Sequence, residues 1–187
     1  MATRFNGISW PTTYDGIQFR SRLEARWAIF FDAMSTAWEY EPENFITRHG
    51  PYLPDFYLPE CDSFFIVKGE GITKEEQEKV EDLAALTERG AAIAIGQIPK
   101  FEEWRWRRYE LTGWKLEGKY MPEAEPMWDN GLMFARCRTC KRLRITFDGL
   151  TNRHCYVEDH RCYEEDDNEM IQALQLARTA KYGIDFT

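Results

Sequence analysis

The chain has 187 residues, of which 43% are hydrophobic and 15% aromatic, enough for one packed domain with an appendage. Its formal charge of −8, from 24 basic against 32 acidic residues, excludes indiscriminate nucleic-acid binding through bulk charge. No stretch approaches the ~18 uninterrupted apolar residues that span a bilayer, and residues 1 to 7 hold no apolar signal core, so a cytoplasmic protein with no membrane partner is expected.

In chain order, Gly7, Pro11, Asp15 and Gly16 make residues 1 to 18 an irregular or hairpin-like lead-in. Ser21-Arg-Leu-Glu24 opens a helix whose apolar positions Leu23, Trp27, Phe30, Phe31 and Met34 follow helical spacing and pack on a sheet. Glu24 completes a capping box with Ser21. It also lies on the margin of the buried stripe, where an unpaired carboxylate is costly and a metal removes the cost. Trp38-Glu-Tyr-Glu-Pro-Glu alternates aromatic and acidic residues as a half-buried strand does.

Residues 52 to 70 carry two β-prone runs, each bounded by Pro or Gly, which a hairpin would set side by side. Asp55 then lies on one strand and Lys68 at the end of the next. An acid and an amine at one sheet edge suit a hydrolase that holds a divalent metal, because the metal lowers the pKa of water and the ammonium stabilises developing charge. As a plain hairpin, the same residues are a surface Asp and a strand-ending Lys.

Thr73-Lys-Glu-Glu76 is a second capping box, and it opens a helix with Val80, Leu83, Ala84 and Leu86 inward and Gly90 as its stop. Ala91 to Ile95 reads as a buried strand, so strand, helix and strand across residues 64 to 95 form a crossover unit with a parallel pair. The core order is helix, three strands, helix, strand.

From Gln97 to Trp128 the chain interleaves Phe101, Trp104, Trp106, Tyr109, Trp114 and Tyr120 with Arg105, Arg107 and Arg108. The segment reads as an added hairpin over a sheet edge, or as a platform for stacking bases. Met121 to Met127 is linker-like, which divides the chain into a core at 1–128 and a second unit at 129–187.

Cysteine usage is concentrated in that second unit, where four of the five cysteines fall between residues 137 and 162, and Cys61 is left over as a free thiol. Cys137-Arg-Thr-Cys140 has the spacing of a zinc knuckle. His154, Cys155, His160 and Cys162 supply four candidates for the two remaining places. Cys155 with Cys162 is preferred, with His160 or His154 as the alternative ligand. Four protein ligands leave no open position, so this zinc is expected to be structural. Residues 136 to 153 hold six basic side chains against one acid. Of these, Arg138, Lys141, Arg142 and Arg144 are the candidate phosphate contacts. After the acidic run at 163–169, Asp167 to Lys181 reads as a terminal helix with Met170, Ile171, Leu174 and Ala177 on one face.

Phe19-Arg-Ser-Arg-Leu-Glu-Ala-Arg-Trp-Ala, Trp38-Glu-Tyr-Glu-Pro-Glu, Tyr52-Leu-Pro-Asp-Phe and Val67-Lys-Gly together resemble the PD-(D/E)XK nuclease superfamily, over residues 14 to about 95. The chain is most similar to small phage and actinobacterial proteins in which such a core precedes a cysteine-rich ribbon. The resemblance implies an α/β (α+β) fold: a restriction-endonuclease-like core of mixed sheet flanked by helices, plus a small zinc-ribbon-like unit. It matches Asp55 to the motif aspartate and a metal ligand, Lys68 to the motif lysine, and Glu24 to a first-helix glutamate. It further implies Mg2+ or Mn2+ as catalytic cofactor, Zn2+ as structural ion, DNA as partner, a homodimer or a protein partner, and a host cytoplasm for a phage-encoded chain. One position departs from the pattern, since the acid expected two residues before the lysine is Ile66. Three explanations follow: a reduced ligand set of Asp55 and Glu24, substitution by Glu70 from beyond Lys68, or a degenerate fold that binds nucleic acid or protein and regulates or inhibits.

Overall fold

The computed structural model describes residues 10–99, 111–114, 132–136, 140–147, 154–155, 160–161 and 168–182; at 111–114, 154–155 and 160–161, and at several positions of the strands within 132–147, the backbone alone is described. The architecture is mixed α+β. A hairpin of β1 (Thr12–Tyr14) and β2 (Ile17–Phe19) turns on Asp15 and Gly16, both with positive φ, as a two-residue hairpin loop requires. Helix α1 (Arg22–Ala33) follows, then β3 (Glu39–Tyr40), the hairpin β4 (Phe45–Thr47) and β5 (Gly50–Tyr52), and β6 (Phe56–Leu58). A 3-10 turn at Pro59–Cys61 leads into β7 (Ser63–Lys68), and α2 (Lys74–Thr87) connects it to β8 (Gly90–Ile95). Beyond these lie β9 (Leu111–Trp114), β10 (Leu132–Arg136), β11 (Leu143–Phe147), the short pair β12 (His154–Cys155) and β13 (His160–Arg161), and helix α3 (Asn168–Thr179).

Seven of the strands form one mixed sheet in the order β11-β10-β9-β8-β7-β6-β3. β7 and β8 are parallel, joined by α2, as the crossover reading of residues 64 to 95 expects. The other ladders are antiparallel. Side chains alternate along β7: Phe65 and Val67 join the core under α1 and α3, while Phe64 and Ile66 join the core under α2. The sheet therefore carries a buried layer on each face, which is why β7 reads as an unbroken apolar run.

α1 seats the larger layer. Trp27, Phe30 and Phe31 are fully buried, and Trp27 meets Phe65 edge-on with ring centroids 4.8 Å apart. Each such side chain contributes about 1.5 to 3 kcal/mol through burial. The same core takes Phe134 of β10, Leu143 and Ile145 of β11, and Met170, Leu174 and Ala177 of α3. Among the described residues, side chains from both sides of 128/129 thus share this core. β10 and β11 extend the sheet of the preceding residues, and the terminal helix packs into the same core.

Two expectations at α2 need correction. Leu86 is 58% exposed, because it lies 240° around the helix from Val80 and off the face that Val80, Leu83 and Ala84 bury. The helix also ends on Glu88, which takes the left-handed conformation at φ 55°, and Gly90 is the first residue of β8. Gly90 serves packing instead: a Cβ there would collide with the Ser63 side chain across the ladder. No described helix is long and apolar enough to cross a membrane.

Candidate active site

The antiparallel β6–β7 pair brings Asp55 and Lys68 to one end of the sheet. Asp55 directly precedes β6, opposite the C-terminal end of β7, and its Oδ2 accepts the Val67 N–H at 2.7 Å. Its backbone carbonyl accepts the Glu41 N–H at 2.9 Å, which ties it to the segment after β3. The carboxylate is buried, at 7% exposure, and burial pushes its pKa up to about 6. The Val67 N–H opposes that shift, Glu24 adds to it, and Arg20 and Lys68 pull it down.

Glu24 arrives from the first turn of α1. Ser21 caps this helix by accepting the Glu24 N–H at 3.1 Å, and its hydroxyl donates to Glu24 Oε1 at 2.8 Å. The capping box stays half closed, because Glu24 Oε2 accepts the N–H of Arg20 at 3.2 Å and the Tyr40 hydroxyl at 2.6 Å. Glu24 is as buried as Asp55. A buried carboxylate needs this many donors to stay tolerable.

Arg20 binds the two acids together. Its guanidinium pairs with Asp55 through Nη2 and with Glu41 through Nε at 2.8 Å, while its backbone N–H serves Glu24. Burial pushes the Tyr40 phenol pKa up, reinforced by its bond to Glu24. Lys68 leaves the end of β7 on the α2 side and donates to Glu76 Oε1 at 2.7 Å. Glu76 closes a full capping box with Thr73, and its bond to Lys68 holds its carboxyl pKa below the ordinary value. Because α2 follows β7 after five residues, 69–73, its first turn cannot move far from Lys68. Tyr52, at the end of β5, feels both Asp55 and Glu76; burial and these negative charges push its pKa up.

The candidates fare differently as neighbours. Glu24, Asp55 and Lys68 lie at one end of the sheet. Ile66 is 1% exposed and packs in the α2 core, so an acid in its place would share the face of Lys68. Glu70 is exposed, and no hydrogen bond or ion pair joins it to the cluster among the described residues. Among the described residues no three His, Cys, Asp or Glu side chains converge on a common metal position. Instead, the carboxylates of Asp55, Glu41 and Glu24 lie within 4.0 Å of the Arg20 guanidinium.

Arg20, Tyr40, Glu41 and Glu76 were not singled out by the sequence as site residues. Tyr40 and Glu41 stood in the aromatic-acidic alternation at 38–43, and Glu76 was accounted for as a cap. Only Arg20, four residues before Glu24, carried a helix-spacing signal toward a known acid.

Of the zinc candidates, Cys137 and Cys162 lie outside the described residues. Cys140 sits in the loop between β10 and β11, before Lys141, which turns the chain with φ 60°. The Arg136 Nε donates to the Lys141 carbonyl at 2.8 Å across that loop. The register of β12 and β13 pairs Cys155 with His160 and His154 with Arg161. Cys61 packs against the main core and its thiol reaches the Leu143 carbonyl at 3.4 Å. Lys141 and Arg142 are exposed; Arg138, like Arg105, Arg107 and Arg108, lies outside the described residues, and Arg144 is placed on β11 by its backbone.

No family model, no curated protein and no solved structure matches this chain.

Proposed function

We propose that this chain is a divalent-metal-dependent DNA endonuclease that hydrolyses phosphodiester bonds, the activity its resemblance to the PD-(D/E)XK superfamily implies. One observation carries the reading: Glu24 of α1 and Asp55 before β6, carboxylates from two separate elements, are both buried beside Arg20, whose guanidinium pairs with Asp55 and brings Nε to 4.0 Å from Glu24, at the sheet end where Lys68 emerges. The mixed sheet with a helical layer on each face supports a restriction-endonuclease-like core.

The donor set fits a hard divalent ion. Carboxylate oxygens suit Mg2+ or Mn2+, and the Arg20 guanidinium already stands where positive charge is favoured. Such an ion, when bound, polarises the scissile phosphate and lowers the pKa of water. The chain's own residues do the rest. The Val67 N–H orients the Asp55 carboxylate, while Ser21 and Tyr40 fix the Glu24 rotamer. Lys68, aimed by Glu76, offers an ammonium to the charge that develops on the phosphate. Lys141 and Arg142, with Arg138 and Arg144, supply phosphate contacts whose strength falls with salt. Zn2+ would be held by Cys137 and Cys140 with Cys155 and Cys162, or with His160 or His154 in place of one of the latter, and would serve structure.

Ile66 favours a second reading, a degenerate core that binds nucleic acid or a protein partner, because the buried isoleucine removes one metal ligand. Supercoiled plasmid and single-stranded DNA, incubated with wild type and Asp55→Ala in Mg2+, Mn2+ or EDTA, distinguish the two. The nuclease reading expects metal-dependent cleavage that falls at least about a hundredfold in Asp55→Ala. Equal cleavage by the variant removes the site, and no cleavage by folded wild type favours the binding module.

A further inference from the structure

The Arg20 guanidinium lies against the carboxylates that the metal-site reading assigns to a cation. Arg20 reaches Asp55 through Nη2 and Glu41 through Nε at 2.8 Å, with Nε 4.0 Å from Glu24 Oε2. Three carboxylates thus surround one guanidinium, and two of them are buried. The Arg20 side chain itself is half exposed, so it has room to leave toward solvent. Its backbone N–H also holds Glu24, and that bond does not depend on the side chain.

We propose that Arg20 is the resident counter-ion of the Glu24–Asp55 site, and that a divalent cation binds by displacing its guanidinium. This rests on the metal-site reading above and adds a residue that the reading does not require. A buried carboxylate pair without a cation is strongly disfavoured, so a tethered guanidinium keeps the ion-free protein folded. The same contact lowers apparent affinity for the ion, since binding must first break it. Once displaced from Asp55, the guanidinium stands at the rim, where its charge and planar donors suit a phosphate oxygen.

The sign of the effect separates this role from a structural one. Removing a residue that merely supports the site weakens ion binding; removing a competitor tightens it. Mn2+ is titrated, with free ion counted by electron paramagnetic resonance, into wild type, Arg20→Gln, Arg20→Lys and the double variant Arg20→Gln/Asp55→Asn. Arg20→Gln is expected to bind Mn2+ at least about tenfold more tightly than wild type. Arg20→Lys keeps the charge without the fork that bridges Glu41 and Asp55, so a smaller gain is expected. The double variant should lose the gain. Equal or weaker binding by Arg20→Gln, with wild-type binding still dependent on Asp55, overturns the counter-ion role and leaves the metal site standing. No Asp55-dependent binding in any of the proteins overturns both. If Arg20→Gln does not fold, Arg20→Lys decides by the same comparison: tighter binding supports the role, and unchanged or weaker binding overturns it.

Discussion

Asp55 is held by opposing forces. Burial disfavours its charge and raises its pKa to about 6 from an ordinary 3.8, whereas the Val67 N–H and Arg20 favour the charged form. At Asp55 the native chain therefore binds more proton than the unfolded chain between those values, and this group's contribution to stability falls as pH rises through that window. Asp55→Asn does not titrate, and its amide oxygen can still accept the Val67 N–H. In EDTA, urea denaturation should show the variant gaining about 2 to 3 kcal/mol relative to wild type between about pH 4 and pH 7. A difference that stays flat with pH contradicts this account of the carboxylate. The position of Asp55 beside Lys68 was legible because Pro and Gly bound both strands, which sets a hairpin register from local signals alone. Arg20 was not legible as a partner of Asp55. The two are 35 residues apart, and only the packing of α1 on the sheet brings them together.

Among the elements, the helices were read most fully. The stripe Leu23, Trp27, Phe30, Phe31 and Met34 is buried as its spacing predicts, and the cap at Ser21 is in place. Glu24 shows how one local rule conceals another. A glutamate three residues after a serine is a sufficient cap signal, yet its carboxylate leaves the box to accept from Tyr40 and Arg20. At α2 the sequence favoured Gly90 as the stop, but the close approach of Ser63 claims that glycine for the β7–β8 ladder. Glu88 carries the left-handed turn in its place and is exposed there. An L-residue in that conformation costs about 1 kcal/mol that glycine does not. Glu88→Gly should therefore stabilise the protein by about 0.5 to 1 kcal/mol in thermal or urea denaturation. A loss of stability means that the side chain of Glu88 contributes more than its backbone strain costs.

At the scale of the whole molecule, the crossover from β7 through α2 to β8 followed from the alternation of strand and helix signals. The sheet's continuation through β9 to β11 did not. β9 pairs with β10 across residues 115–131, and pairing over such a separation leaves no local periodicity in the sequence. The linker-like run at 121–127 suggested a separate unit instead, although Phe134, Leu143 and Met170 lie in the core that α1 builds. One consequence is that α3 braces the element that carries Glu24: α1 and α3 share a core, and Arg136 of β10 pairs with Glu169 of α3. The central claim is that Glu24 and Asp55 form a divalent-cation site that the guanidinium of Arg20 occupies in the ion's absence. The most direct measurement is anomalous diffraction from crystals of the full chain soaked in Mn2+. The account predicts an anomalous peak within about 2.5 Å of Asp55 and Glu24 carboxylate oxygens, with the Arg20 guanidinium moved away from Asp55. Well-diffracting crystals with Mn2+ elsewhere, and with the Arg20–Asp55 pair intact, would contradict it.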